Sequence, residues 1–190
     1  MGDPALRLPT FEELYAQIQR LPQGVTGEIL TPGALRTMSR PGRRHRFAAK
    51  QVGEQVRDFD ADRGGAGWWI EVEAEVRLGE RLVVPDLAGW RVERVPALPE
   101  ENPLTIVPDW CCEVLSRNTA RDDRTVKLPL HAAQGVAWVW LVDPDLRALE
   151  VYETVAGRPT LWPIGVGVVA PPPFGTPLAL DAWWLTDPAE

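Results

Sequence analysis

Apolar positions recur at helical spacing early in the chain and then switch to alternation. Phe11, Leu14, Tyr15, Ile18 and Leu21 share one helical face behind Thr10-Phe11-Glu12-Glu13, a capping-box pattern. The spacing predicts a helix of about three turns that ends before Pro22. Val25 to Leu30 reads as a short strand stopped by Thr31-Pro32-Gly33. A second helix is expected from near Gly42 to about Asp60, with Phe47, Ala48, Val52, Val56 and Phe59 as its apolar face. Beyond the loop Gly64-Gly65-Ala66-Gly67 the period becomes two. Trp68, Ile70, Val72, Ala74, Val76 and Leu78 alternate with Trp69, Glu71, Glu73, Glu75 and Arg77, which predicts one long strand with a buried and a wet face. Gly79-Glu80 supplies a turn, and Arg81 to Arg91 should return as the second arm of a hairpin.

After a loop from Pro96 to Pro103, Ile106 to Ser116 is expected as the next strand. A helix capped by Asn118 or Thr119 then runs toward Gln134 and ends at Gly135. Val136 to Val142 is apolar on both faces, as a central strand covered on both sides must be. Asp143-Pro144-Asp145 turns the chain into a return strand from Leu146 to Glu153, with a further strand at Arg158 to Ile164. Pro171-Pro172-Pro173 reads as a rigid surface segment, and Leu178 to Leu185 as a tail packing back. Strands joined by helices in some places and by hairpins in others give an α/β (α+β) fold, a mixed β-sheet core flanked by α-helices with added hairpin strands. Residues 1–190 are read as a single domain, with 1–9 and 187–190 as loose termini.

Composition narrows the function classes. The net charge of −7 argues against a protein that coats nucleic acid generally, but a local basic stretch stands out: Arg36, Arg40, Arg43, Arg44, Arg46 and Lys50, with His45 inside it. It reads equally as a solvated loop and helix start or as a surface facing phosphates. Lys50 and Lys127 are the only lysines. Cys111 and Cys112 are adjacent, so in a strand they point to opposite faces and do not pair; reduced thiols in a core fit a cytoplasmic protein. No apolar signal region opens the chain, and the longest apolar run is too short to span a bilayer, so no membrane partner is expected. The nine tryptophans fit core packing better than a stacking surface for single strands, Trp69 and Trp90 being the two to check for exposure.

The chemistry lies where charges interrupt apolar runs, because a buried charge is costly unless paired. Asp86 sits in Leu82-Val83-Val84-Pro85-Asp86-Leu87, and Glu113 in Trp110-Cys111-Cys112-Glu113-Val114-Leu115. A second Val-Pro-Asp ends at Asp109. Asp109 and Glu113 on one strand would lie roughly 13 Å apart, whereas oxygens on one magnesium each lie about 2.1 Å from it. Asp86 and Glu113 come from different strands, and neighbouring strands lie about 4.8 Å apart, so they form the workable pair provided their strands are neighbours. With the Val114 carbonyl they could hold a magnesium that keeps several waters. Lys127 could stabilise charge on a phosphate, although Asp123, four residues earlier, offers it a helix-surface ion pair.

Val84-Pro85-Asp86-Leu87-Ala88-Gly89-Trp90, Pro108 to Ser116, Asp123 to Leu128, Gly135-Val136 and Trp140 to Pro144 together resemble the Uma2 family, a branch of the PD-(D/E)xK restriction-endonuclease-like superfamily. The resemblance spans roughly residues 10 to 185. It implies a four-stranded mixed sheet core flanked by helices and a divalent-metal-dependent endonuclease acting on phosphodiester bonds in DNA, with Mg2+ or Mn2+ as cofactor. The alternative is a catalytically inactive module that keeps the fold to bind DNA or protein. Leu115 stands where the superfamily usually has its lysine, so the match is to the variant in which a helix supplies it. By that resemblance Asp86 and Glu113 are metal ligands and Lys127 holds the water or scissile phosphate. Gly27-Glu28 and His45 match a Gly-Glu in the first strand and a histidine opening the next helix. Glu28 is thus a further candidate ligand, and His45 a candidate for phosphate contact or proton transfer. Arg43, Arg44, Arg46 and Arg117 are candidate nucleic-acid contacts, Arg117 replacing the family's usual proline. A homodimer would let two sites cut two strands. Pro129, two residues past Lys127, is harmless in a first helical turn, but would kink a helix that starts at Thr119.

Overall fold

The doubly apolar run before Asp143 becomes the middle of the larger sheet. The computed structural model describes residues 7–186. Within it β8 (Trp138–Asp143) lies between β7 (Trp110–Val114), to which it is parallel, and β9 (Ala148–Val155), to which it is antiparallel. β10 (Arg158–Trp162) extends one edge. β6 (Leu87–Arg91) and β3 (Trp68–Val72) extend the other, giving six strands in the order β10-β9-β8-β7-β6-β3, a mixed core with added strands. A second sheet, in the order β2-β1-β5-β4, holds β1 (Val25–Thr31), β2 (Ala34–Ser39), β4 (Val76–Leu78) and β5 (Arg81–Val83). A short pair, β11 (Val168–Val169) with β12 (Leu178–Ala179), precedes a 3-10 turn at Leu180–Trp183.

The strand pleat distributes the core. Trp110, Cys112, Val114, Trp140 and Val142 face α2 (Arg43–Gln55) and the C-terminal tail, while Cys111, Leu115, Val139 and Leu141 face the opposite layer with Leu128 and Leu130. The two cysteines are buried and unpaired, on opposite faces as their adjacency requires. α1 (Phe11–Ile18) carries its capping box between Thr10 and Glu13 and packs Phe11, Leu14 and Ile18 over Ile29 and Leu82. Gly27 has a steric reason: a Cβ there would lie 2.6 Å from Ile18 Cγ1.

Several expectations change. Trp68–Leu78 is not one strand, nor is Arg81–Arg91. Both arms break at the same level, between the pairs Val72↔Leu87 and Val76↔Val83, so that each half joins a different sheet. The break falls at Glu73, whose φ of +52° is left-handed, a conformation that costs a non-glycine residue roughly 1–2 kcal/mol. Val72, expected inside, is 63% exposed. The strand at Ile106–Ser116 shortens to β7, and the second helix ends at Gln55 with 3-10 turns following. β2 forms inside the stretch read as a basic loop; its mixed polarity hides it, because none of its residues is fully buried. The proline run is no free surface segment: Pro171 is buried, and the Pro172 carbonyl accepts the Trp140 indole N–H at 2.8 Å. Trp90 is wholly buried and offers no stacking face, while Trp69 is partly buried and gives its indole N–H to the Val95 carbonyl. The tail does pack back, with Trp183 stacked on Trp140 at 6.2 Å.

Trp140 is therefore the packing hub of the larger sheet, touching Trp110, Phe174 and Trp183. Trp140→Ala should cost about 3–5 kcal/mol by urea denaturation. A loss under about 1 kcal/mol would contradict this packing.

Candidate active site

Antiparallel pairing of β6 with β7 sets Leu87 opposite Cys112, and continuing that register by one residue brings Asp86 level with Glu113. Asp86 ends the segment in which the chain crosses from one sheet to the other. Its Oδ2 accepts the Val114 N–H at 2.7 Å, and its Oδ1 lies 3.2 Å from His45 Nε2. Period two on β7 points Glu113 into the same layer as Cys111 and Leu115, which α3 (Ala120–Asp122), a π turn (Asp123–Lys127) and α4 (Leu128–Ala133) cover. The Glu113 carboxylate receives Lys127 Nζ at 3.2 Å on Oε2 and His131 Nε2 at 3.1 Å on Oε1.

Lys127 is buried and stands among three carboxylates: Glu28 at 2.9 Å, Glu113 at 3.2 Å and Asp123 at 3.6 Å. The i,i+4 pair with Asp123 thus exists, but it is the longest of the three contacts. Arg124 braces the π turn from its other side, reaching Asp143 and Glu150. Leu128 N–H reaches back to the Asp123 carbonyl, so the helix that begins at Ala120 widens just before Pro129. Pro129 then falls in the first turn of α4, where a missing N–H costs little, and Lys127 keeps its aim.

Asp86, Glu113, Asp123, Lys127 and His45 line one cavity of about 90 Å3, together with Glu73, Ser116 and Thr119. That is room for a few waters. Glu28 lies behind Lys127 and is fully buried, with Oε1 accepting the Val84 N–H at 3.0 Å. Its Oε2 has no hydrogen-bond partner among the described residues. Asp109 is spent elsewhere, on Arg94 and the Arg91 N–H, and does not line the cavity. Arg43, Arg44 and Arg117 border an adjoining depression that shares His45 and Ser116 with the cavity. Arg117 also pairs with Asp145, and Arg46 is turned to the Pro41 carbonyl.

Burial and charge push these groups in different directions. Burial would raise the Glu113 carboxyl, but Lys127 and His131 outweigh it and hold Glu113 below its usual range. Glu28 goes the other way: burial raises it, Glu113 adds to that, and Lys127 offsets only part. Burial would likewise depress Lys127, yet Glu113, Glu28 and Asp123 keep it above its ordinary value. His45 is raised, the hydrogen bond and charge of Asp86 overcoming its burial. Asp123 is raised to about 6, by burial first and by Glu113 second.

Residues 9–182 match the model of a family described as "Uma2: Putative restriction endonuclease". The chain belongs to the Uma2 family. No curated protein matches it. Among solved structures it is similar to a "putative nuclease belonging to DUF820" from Anabaena variabilis ATCC 29413, with a TM-score of 0.72 at 21% identity over 93% of this chain and 97% of that one. The restriction-endonuclease-like fold of this Uma2 chain is thereby shown. Among the described residues no helix is long and apolar enough to cross a membrane.

Nor is any group of three or more His, Cys, Asp or Glu side chains arranged to hold a metal ion among the described residues. The smaller set fits a hard ion nonetheless. Magnesium needs only one or two carboxylates and keeps its waters. Among the described residues each oxygen of Asp86 and Glu113 accepts a single donor and retains a lone pair. Sequence reasoning missed His131 and Glu73. His131 stands four residues after Lys127 and shares its face, a spacing that could have exposed it; Glu73 was absorbed into an apparently regular alternation.

Asp123 gives a pH dependence with a definite sign. Its folded value lies above that of an unfolded aspartate, so its contribution is present below about pH 4 and is lost as pH rises through about 6. The stability difference of Asp123→Asn from wild type should therefore shift in the variant's favour as pH rises from 4.5 to 7.5, by up to about 3 kcal/mol whatever its offset at low pH, read as urea midpoints at each pH. A gap that does not change with pH would contradict the assignment.

Proposed function

We propose that this chain is a divalent-metal-dependent endonuclease that hydrolyses phosphodiester bonds in DNA, with Mg2+ or Mn2+ as its ion. The observation that carries the reading is the convergence of Asp86, Glu113 and Lys127, from three separate elements, on one small cavity beside arginines. Asp86, Glu113 and the Val114 carbonyl would hold the ion, with Glu28 as a reserve carboxylate behind Lys127. Such an ion supplies a water activated for attack and neutralises charge on the phosphate. Lys127, fixed by its carboxylates, presents an ammonium to the cavity where charge develops on the phosphate. His45 orients Asp86 and carries a proton at the cavity wall. Arg43, Arg44 and Arg117 neutralise the strand on either side of the scissile bond, a role that fits DNA despite the acidic whole.

A second reading, a non-catalytic module that keeps the fold to bind DNA or protein, has one observation in its favour. Every oxygen of Asp86 and Glu113 already accepts a bond from the protein. Calorimetric titration with Mn2+ separates the two. The endonuclease reading expects binding to wild type that Asp86→Ala and Glu113→Ala abolish, with Mn2+-dependent nicking of plasmid DNA lost in the same variants. Absence of binding to wild type would overturn it and leave the module.

A further inference from the structure

His131 is wholly buried on α4, yet it takes no part in lining the cavity. Burying an imidazole is costly unless it is hydrogen-bonded, and an apolar residue would fill the same place in a layer already built from Leu128 and Leu130. Among the described residues its side-chain hydrogen bond is with Glu113, at 3.1 Å between Nε2 and Oε1. Lys127 Nζ, which can only donate, already holds Oε2 of this carboxylate, and Oε1 is left to accept from Nε2. Nδ1 is buried with no partner among the described residues, so a proton there would be an orphaned donor, and the geometry favours a proton on Nε2.

We propose that His131 is a positioning residue for Glu113. With Lys127 gripping Oε2 from one turn earlier on the helix and His131 gripping Oε1, both oxygens of the carboxylate are pinned by the same element. Two anchors on one carboxylate stop it rotating about its last bond, so its free lone pairs keep a single aim into the cavity. His131 touches neither the cavity nor anything bound there; it acts through Glu113. This inference rests on the metal-binding reading above, in which Glu113 is a ligand, and it adds the group that orients that ligand.

The test has two arms. In metal-free wild type, 15N NMR of the imidazole should show the Nε2-protonated tautomer at His131; an Nδ1-protonated ring overturns the proposal with no metal involved. In Mn2+ titrations, His131→Leu should weaken affinity by roughly 10–100-fold, and His131→Gln, whose amide can still donate to Glu113, should recover most of it. Equal Mn2+ affinity in wild type and His131→Leu overturns the positioning role alone. If wild type binds no Mn2+, the reading beneath it has failed and this role falls with it. Should His131→Leu fail to fold, the Gln variant decides: an affinity as weak as that of Glu113→Ala overturns the proposal.

Discussion

A lysine ammonium buried among carboxylates is the constraint from which the rest of this structure follows. Lys127 joins Glu28 of the smaller sheet, Glu113 of the larger sheet and Asp123 of its own helix. A buried ion pair of this sort adds little net stability compared with apolar residues of the same volume, but removing one partner typically costs 3–5 kcal/mol because the other charges are stranded. The network therefore acts less as glue than as a locating device. It allows one placement of the helix across the two sheets, and that placement aims the ammonium at the cavity.

The cavity exists because one hairpin is torn between two sheets. Val76–Leu78 and Arg81–Val83 stay with the smaller sheet, while Trp68–Val72 and Leu87–Arg91 join the larger. The three residues between the halves on each arm cannot pair normally. On one arm Glu73 takes a left-handed backbone; on the other Pro85 ends the ladder and Asp86 turns its side chain to the Val114 N–H. Both break residues, Glu73 and Asp86, line the cavity. Strain and broken pairing thus coincide with the chemistry, as they do where a fold stores conformational cost at a working site.

The sequence made the central elements legible for a plain reason: where burial is two-sided or one-sided without interruption, polarity reports it directly. Trp138–Asp143, the capping box of α1 and the buried strand that carries Glu113 were all readable in this way. Legibility failed where polarity and geometry part. The alternation from Trp68 to Leu78 runs unbroken through a residue at which the backbone changes sheets, and no side-chain pattern records a change of hydrogen-bonding partner. β2 lacked a buried face. His131 was missed because its only signal is its place four residues after Lys127, on the same helical face. Pro129 looked like a threat to Lys127, but the preceding π turn absorbs it, a backbone adjustment that composition does not encode.

These threads meet at Asp86 and Glu113, the pair proposed to hold a divalent ion at the seam between the sheets. The most direct measurement is a crystal structure of the protein soaked in Mn2+, with the ion located by its anomalous scattering. The account predicts a manganese bound by Asp86 and Glu113 in the cavity beside Lys127. A cavity without anomalous signal at saturating Mn2+, or an ion held only by residues outside this pair, would contradict it.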